Sequence, residues 1–129
     1  KACSLMTGSD LTIITYGAPV HKALDIVKSR DTYSFDLIDL RTLCPLDKDA
    51  IINSVKKTGK AIILQEDSMF GGLASEISSI IMENCFEYLD APVIRVASLD
   101  TPIPFEKSLE DQYLPYDRFE AELDKLLEY

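Results

Sequence analysis

Along this chain the apolar residues fall into short solid runs separated by stretches in which they recur every three or four positions. That is the pattern of buried strands alternating with one-sided helices. Residues 10–16, DLTIITY, are rich in β-branched side chains and run into Gly17 and Pro19, which predicts a buried strand followed by a loop and a helix start. Val20, Leu24 and Val27 then recur at helical spacing, with Ala23 between them. Residues 34–40, SFDLIDL, predict a second strand; Pro45 stops its extension and Asp47 is placed to cap a helix over 48–58, which Gly59 closes. Residues 61–64, AIIL, have almost no polar alternation, so this third strand should be central and covered on both faces.

Beyond the turn-forming Gly71-Gly72 pair, Leu73, Ile77, Ile80, Ile81 and Cys85 line one side of a long helix. Residues 88–104, YLDAPVIRVASLDTPIP, read as a buried strand punctuated by prolines, with its β-branched centre at 93–96 and an extended exit fixed by Pro102 and Pro104. A last helix carries Phe119, Leu123, Leu126 and Leu127 as an apolar stripe, and a fifth, short strand belongs near the beginning or the end. Strands alternating with helices predict an α/β fold of three layers, α/β/α, around a mostly parallel sheet. The core expected from this pattern is Ile13, Ile14, Leu24, Leu37, Ile38, Leu40, Ile62, Ile63, Leu64, Ile77, Ile81, Val93, Val96 and Leu123.

At 129 residues and 47% apolar composition the chain suffices for one such domain. Residues 1–9 form a Ser/Thr/Gly-containing lead-in and are expected to be an interdomain linker remnant, with the domain over 10–129 and the chain a fragment of a longer polypeptide. Thirteen basic against 22 acidic residues give a net charge of −9, which disfavours nucleic acid or an anionic membrane as partner and favours a basic protein surface. No apolar stretch approaches the roughly 20 residues of a membrane span. Cys3, Cys44 and Cys85 are odd in number and far apart, which suggests a reducing compartment rather than a disulfide framework or a zinc site.

Few residues are candidates for chemistry. Glu66 and Asp67 are expected just past the carboxyl end of the third strand, where open α/β sheets bind ligands, although consecutive carboxylates diverge and a structural or interface role explains them as well. Gly71-Gly72 opens a helix but lacks any phosphate-binding motif around it, and His21, the single histidine, has no partner discernible in sequence. Arg41, directly after a strand, and Arg95, inside VIRV, are candidates for structural ion pairs with Asp39, Asp100 or Glu66, because a guanidinium in a strand needs carboxylates or carbonyls. No nucleophile, base and orienter assemble from these residues.

The ordered set DLTIITYG (10–17), DLRTLCPLD (39–47), ILQEDSMFGGLASEI (63–77), YLDAPVIRV (88–96) and D-x-P-x-P (100–104) resembles the C-terminal domain of the β subunit of thiamine diphosphate-dependent 2-oxo acid dehydrogenases, of the pyruvate and branched-chain type. The resemblance implies a transketolase C-terminal domain-like fold with a five-stranded mixed sheet and one antiparallel edge strand. It also implies an assembly role: packing against an α subunit and a second β subunit in an α2β2 heterotetramer, and presenting a surface to the basic subunit-binding domain of the acyltransferase core. Asp90, Glu110, Asp111 and the carboxylate of Tyr129 are the anchors it suggests for that partner. In such enzymes thiamine diphosphate and magnesium are bound by segments this chain lacks, so the isolated domain is expected to be catalytically silent. The setting implied is bacterial cytoplasm or mitochondrial matrix. Leu43-Cys44 in the RT-x-x-P-x-D loop and Gln65 before Glu66 depart from the commonest family pattern.

Two other readings stay open. The chain could end a transketolase or a deoxyxylulose phosphate synthase type enzyme, against which the 88–104 stretch argues, or form a free-standing effector-binding module at its Gly71-Gly72 turn.

Overall fold

In the computed structural model, which describes residues 3–40, 47–68, 73–98 and 116–129, the solid apolar runs are strands of one sheet. These are β1 (Cys3–Met6), β2 (Leu11–Thr15), β3 (Phe35–Asp39), β4 (Ala61–Ser68) and β5 (Ile94–Ser98). The periodic stretches are helices α1 (Pro19–Lys28), α2 (Lys48–Thr58), α3 (Ala74–Cys85) and α4 (Tyr116–Leu127). The strand order is β1-β3-β2-β4-β5, parallel throughout except that β1 runs antiparallel to β3. The α/β/α expectation holds, with its mixed five-stranded sheet and antiparallel edge.

Both faces of β2 and β4 are sealed, as their lack of polar alternation requires. Leu11, Ile13, Ile62 and Leu64 pack under α1 and α4 with Val27, Phe119 and Leu123. On the other face Ile14 and Ile63 pack under α2 and α3 with Ile51, Val55, Ile77 and Ile81. The expected core is buried except at its margins, where Leu24 and Val93 are only partly covered. Each fully buried aliphatic side chain contributes about 1.5–3 kcal/mol.

Three expectations need correction. The edge strand β1 lies inside the lead-in assigned to linker, because Cys3 and Ser4 pair with Asp39 and Ile38, so the folded unit reaches back at least to Cys3. Gly8 lets the chain turn there, since any Cβ would overlap the backbone of Ser34 and Phe35. Second, β4 runs on to Ser68 across an irregularity in its pairing with β5, so Glu66 lies within the strand and not beyond it. Third, Tyr88 belongs to a 3-10 turn, Phe86–Tyr88, and the last strand begins only at Ile94, because Pro92 cannot donate to a ladder.

Polar groups inside the fold are spent on its joints. Asp47 accepts from Ala50 N at 3.2 Å and caps α2, whose end Gly59 closes at φ 76°. Gln65, fully buried, accepts from Ala74 N at 2.8 Å and so caps α3 from the strand beneath it. Under α2, Thr12 bonds the hydroxyls of Ser54 and Thr58 at 2.8 and 2.7 Å, while Ser54 donates to the buried carboxylate of Asp36, which Lys57 also reaches at 3.2 Å. Arg30 forks onto Asp124 at 2.6 and 2.9 Å, and this pair ties the end of α1 to α4.

Replacing Ile63 with Ala should cost about 2–5 kcal/mol in urea denaturation, since its site is closed on every side. The Arg30 guanidinium holds the Asp124 carboxyl below its usual range. A carboxyl depressed in the folded state stabilises fully above its unfolded pKa, so this contribution is whole at neutral pH and fades as pH falls below about 4. Because Asp124 is largely exposed, Asp124→Asn should cost no more than about 1 kcal/mol at pH 7, and the difference from the unsubstituted protein should vanish near pH 2.

Candidate interaction surface

The residues singled out from sequence separate to opposite ends of the sheet. At the amino end, where β4 starts and α2 and α4 finish, two of the suggested anchors come together. Asp90 N donates to Gly59 O at 2.7 Å, and the neighbouring Lys60 donates from Nζ to the main-chain oxygen of Tyr129 at 3.4 Å. The dipeptide Gly59-Lys60 therefore bridges Asp90 to Tyr129. Both anchors are exposed, Tyr129 at 67%. Gly59 is held there for two reasons: its positive φ, and the Asp90 carboxylate, whose Oδ2 would stand 2.5 Å from any Cβ at position 59. The result is an exposed carboxylate and an exposed aromatic ring at the same end of the sheet. Glu110 and Asp111, the other two suggested anchors, lie outside the described residues.

At the carboxyl end, Glu66 accepts a 2.6 Å hydrogen bond from the Tyr116 hydroxyl. Burial and the Glu66 carboxylate push the Tyr116 phenol well above its ordinary range, so it stays a donor at neutral pH. Lys22 stands 5.6 Å from the centroid of the Tyr116 ring. Here the chain reverses direction across the sheet, since β3 flanks β2 on one side and β4 on the other, and an open groove of about 590 Å³ faces Tyr16, Gly17, His21 and Asp39. Among the described residues this end brings together no nucleophile with a base, and no cluster of His, Cys, Asp and Glu that could hold a metal ion.

Of the suggested ion pairs, Arg95 with Glu66 is not formed. Glu66 is engaged by Tyr116, and Arg95 is exposed and donates to the Ser75 hydroxyl at 2.8 Å. The reason is that β5 is a sheet edge whose Ile94 and Val96 face the α4 side, which turns Arg95 outward toward α3. Arg41 and Asp100 lie outside the described residues. Two pairs that do form, Arg30 with Asp124 and Lys57 with Asp36, join residues with no local signal in common. The Gly59-Lys60 bridge was likewise hidden, since Gly59 reads simply as a helix stop.

The profile of the transketolase C-terminal domain family matches residues 1–118. The chain belongs to that family. Its relatives include the pyruvate dehydrogenase E1 component subunit beta of Rickettsia felis, 44% identical over 117 residues, which cover 89% of this chain and 36% of the relative. The 2-oxoisovalerate dehydrogenase subunit beta of Bacillus subtilis is 41% identical over 133 residues, covering 100% of this chain and 41% of the relative. The chain thus spans about two fifths of the length of these curated relatives. Among solved structures, a split-gene transketolase in the form of an inactive β4 tetramer superposes with a TM-score of 0.81 at 27% identity, covering 98% of this chain and 41% of that one.

Gly59→Ala should destabilise by about 1–2 kcal/mol from its backbone conformation alone. Because the new methyl displaces the Asp90 carboxylate, the Asp90 amide should also lose protection in hydrogen exchange, which tests the bridge separately from overall stability.

Proposed function

We propose that this chain is the assembly domain of the β subunit of a 2-oxo acid dehydrogenase, the component that decarboxylates pyruvate or a branched-chain 2-oxo acid and passes the acyl group to a lipoyl arm. Relatives with both kinds of name match at similar identity, so the substrate class is read no more finely than that. The observation that carries the assembly role is the convergence of Asp90 and Tyr129 at the amino end of the sheet, exposed and held by Gly59-Lys60. A carboxylate and an aromatic ring exposed at one end of the sheet suit a basic partner with some apolar surface: the charge steers the encounter and the ring supplies contact area. The partner in this reading is the subunit-binding domain of the acyltransferase core, and the α subunit and a second β subunit cover other faces.

Thiamine diphosphate and magnesium belong, in this reading, to the remainder of the enzyme, and no step of the reaction is routed through this domain. Its contribution is to hold the decarboxylase where a lipoyl arm can reach it.

The test is titration of the complete β subunit, assembled with its α subunit, with the subunit-binding domain at low and high salt. Binding should weaken steeply as salt screens the charges, and Asp90→Asn should lower affinity about 3- to 10-fold at low salt with a smaller loss at high salt. Affinity that is unchanged by Asp90→Asn and by Tyr129→Ala at both salt concentrations would overturn the assignment of this end as the contact.

A further inference from the structure

Among the described residues, one buried side-chain nitrogen or oxygen has no hydrogen-bond partner: Nη2 of Arg118, in the first turn of α4. Burial pulls the pKa of this guanidinium down. A desolvated cation without an acceptor is costly, so its persistence at this place asks for a reason. The neighbour best placed to serve does not. Glu122 stands one turn further along α4, at the i+4 spacing that suits an ion pair, but its Oε1 lies 3.6 Å from Lys125 Nζ and it forms no pair with Arg118. Arg118 lines an open groove of about 440 Å³ between β5 and α4, walled also by residues 93–96, Ala121 and Glu122. Ile94 and Val96 belong to the same apolar cluster as Phe119 and Leu123 of α4, which makes the floor of the groove hydrocarbon. Arg95 borders the groove but sends its guanidinium to Ser75 on the opposite face of the sheet, which leaves Arg118 as the guanidinium of this face.

A single unpaired cation over an apolar floor defines a ligand. We infer that this groove binds a small aliphatic carboxylic acid as its anion, the carboxylate on the Arg118 guanidinium and the hydrocarbon on Ile94 and Val96. A rotation of the Arg118 side chain brings the orphaned Nη2 to the ligand and gives it the acceptor it lacks. The planar guanidinium matches a carboxylate through two parallel N–H···O bonds, and a monoanion leaves no charge over. A phosphate ester or a nucleotide would carry further negative charge that nothing in the groove meets, in a chain of net charge −9. An acidic segment of another protein would need more cations along its path, where Glu122 stands instead. The size of the groove falls in the range of small-molecule sites. Bound there, the acid ties α4 to the edge of the sheet, and it stabilises the folded domain in proportion to its occupancy.

The test is calorimetric titration of the complete β subunit, assembled with its α subunit, with 3-methylbutanoate and with 3-methylbutanamide, which has the same shape without the charge. Circular dichroism reports that each variant is folded, and binding elsewhere on the enzyme is common to all variants. The acid should bind at one site per β subunit that Arg118→Met weakens at least about 10-fold, the loss expected for a charge-assisted hydrogen bond. The amide should bind that site more weakly by a similar factor. Arg118→Lys should fall between, because an ammonium keeps the charge and loses the fork. Ala121→Trp, on the exposed wall of the groove, should abolish the site by filling it while leaving the guanidinium in place. Titrations that are the same for the unsubstituted protein, Arg118→Met and Ala121→Trp overturn the proposal, as does the absence of any binding of the acid. Equal affinity for acid and amide overturns the role of the guanidinium. If Arg118→Met unfolds the subunit or releases the α subunit, and Ala121→Trp leaves binding of the acid unchanged, the proposal is overturned and the guanidinium serves a protein carboxylate instead.

Discussion

The constraint on which the fold depends is that β2 and β4 are apolar on both faces. Leu11, Ile13, Ile62 and Leu64 point one way, and Ile14 and Ile63 the other, and no water reaches either set. One layer of helices would leave half of these side chains in solvent, at a cost of about 1.5–3 kcal/mol each, so helices must cover the sheet from both sides. The three layers and the pairing of α1 with α4 and of α2 with α3 follow from that requirement.

Sealing the sheet leaves its polar side chains to act locally. Gln65 lies in the closed β4 yet finds the free N–H of Ala74 at the start of α3, and Thr12 finds Ser54 and Thr58 under α2. Each such group would be expensive if left unpaired in the interior, and each instead fixes one helix against the sheet. The described interior therefore has the character of a scaffold. What it presents outward differs between its two ends: Glu66 with Tyr116 at the carboxyl end, Asp90 with Tyr129 at the amino end.

These surfaces suit a domain that works by contact. The Asp90 part of the amino-end surface rests on a positive-φ glycine and the main-chain bond from Asp90 N to Gly59 O, so it needs little ordering on binding. In a strongly acidic chain the position of the few guanidinium groups matters more than their number. Arg30 is consumed in joining α1 to α4, whereas Arg95 is exposed and, among the described residues, donates to the Ser75 hydroxyl.

Most of the architecture was legible in the sequence because it is written in local terms. The solid apolar runs of the strands, the helical spacing of Ile77, Ile81 and Cys85, the Asp47 cap and the Gly59 stop each act within a few residues, and a chain must obey them wherever it folds. The motif order at 39–47, 63–77 and 88–96 likewise carried the family. Tertiary structure alone decided that the lead-in supplies an edge strand, that Arg95 turns outward because β5 ends the sheet, and that Asp90 and Tyr129 meet through Gly59-Lys60. The same holds for Arg30 and Asp124, 94 residues apart. Such contacts depend on which strands become neighbours, and that is settled by the summed burial of the whole sheet and not by any residue's own preference.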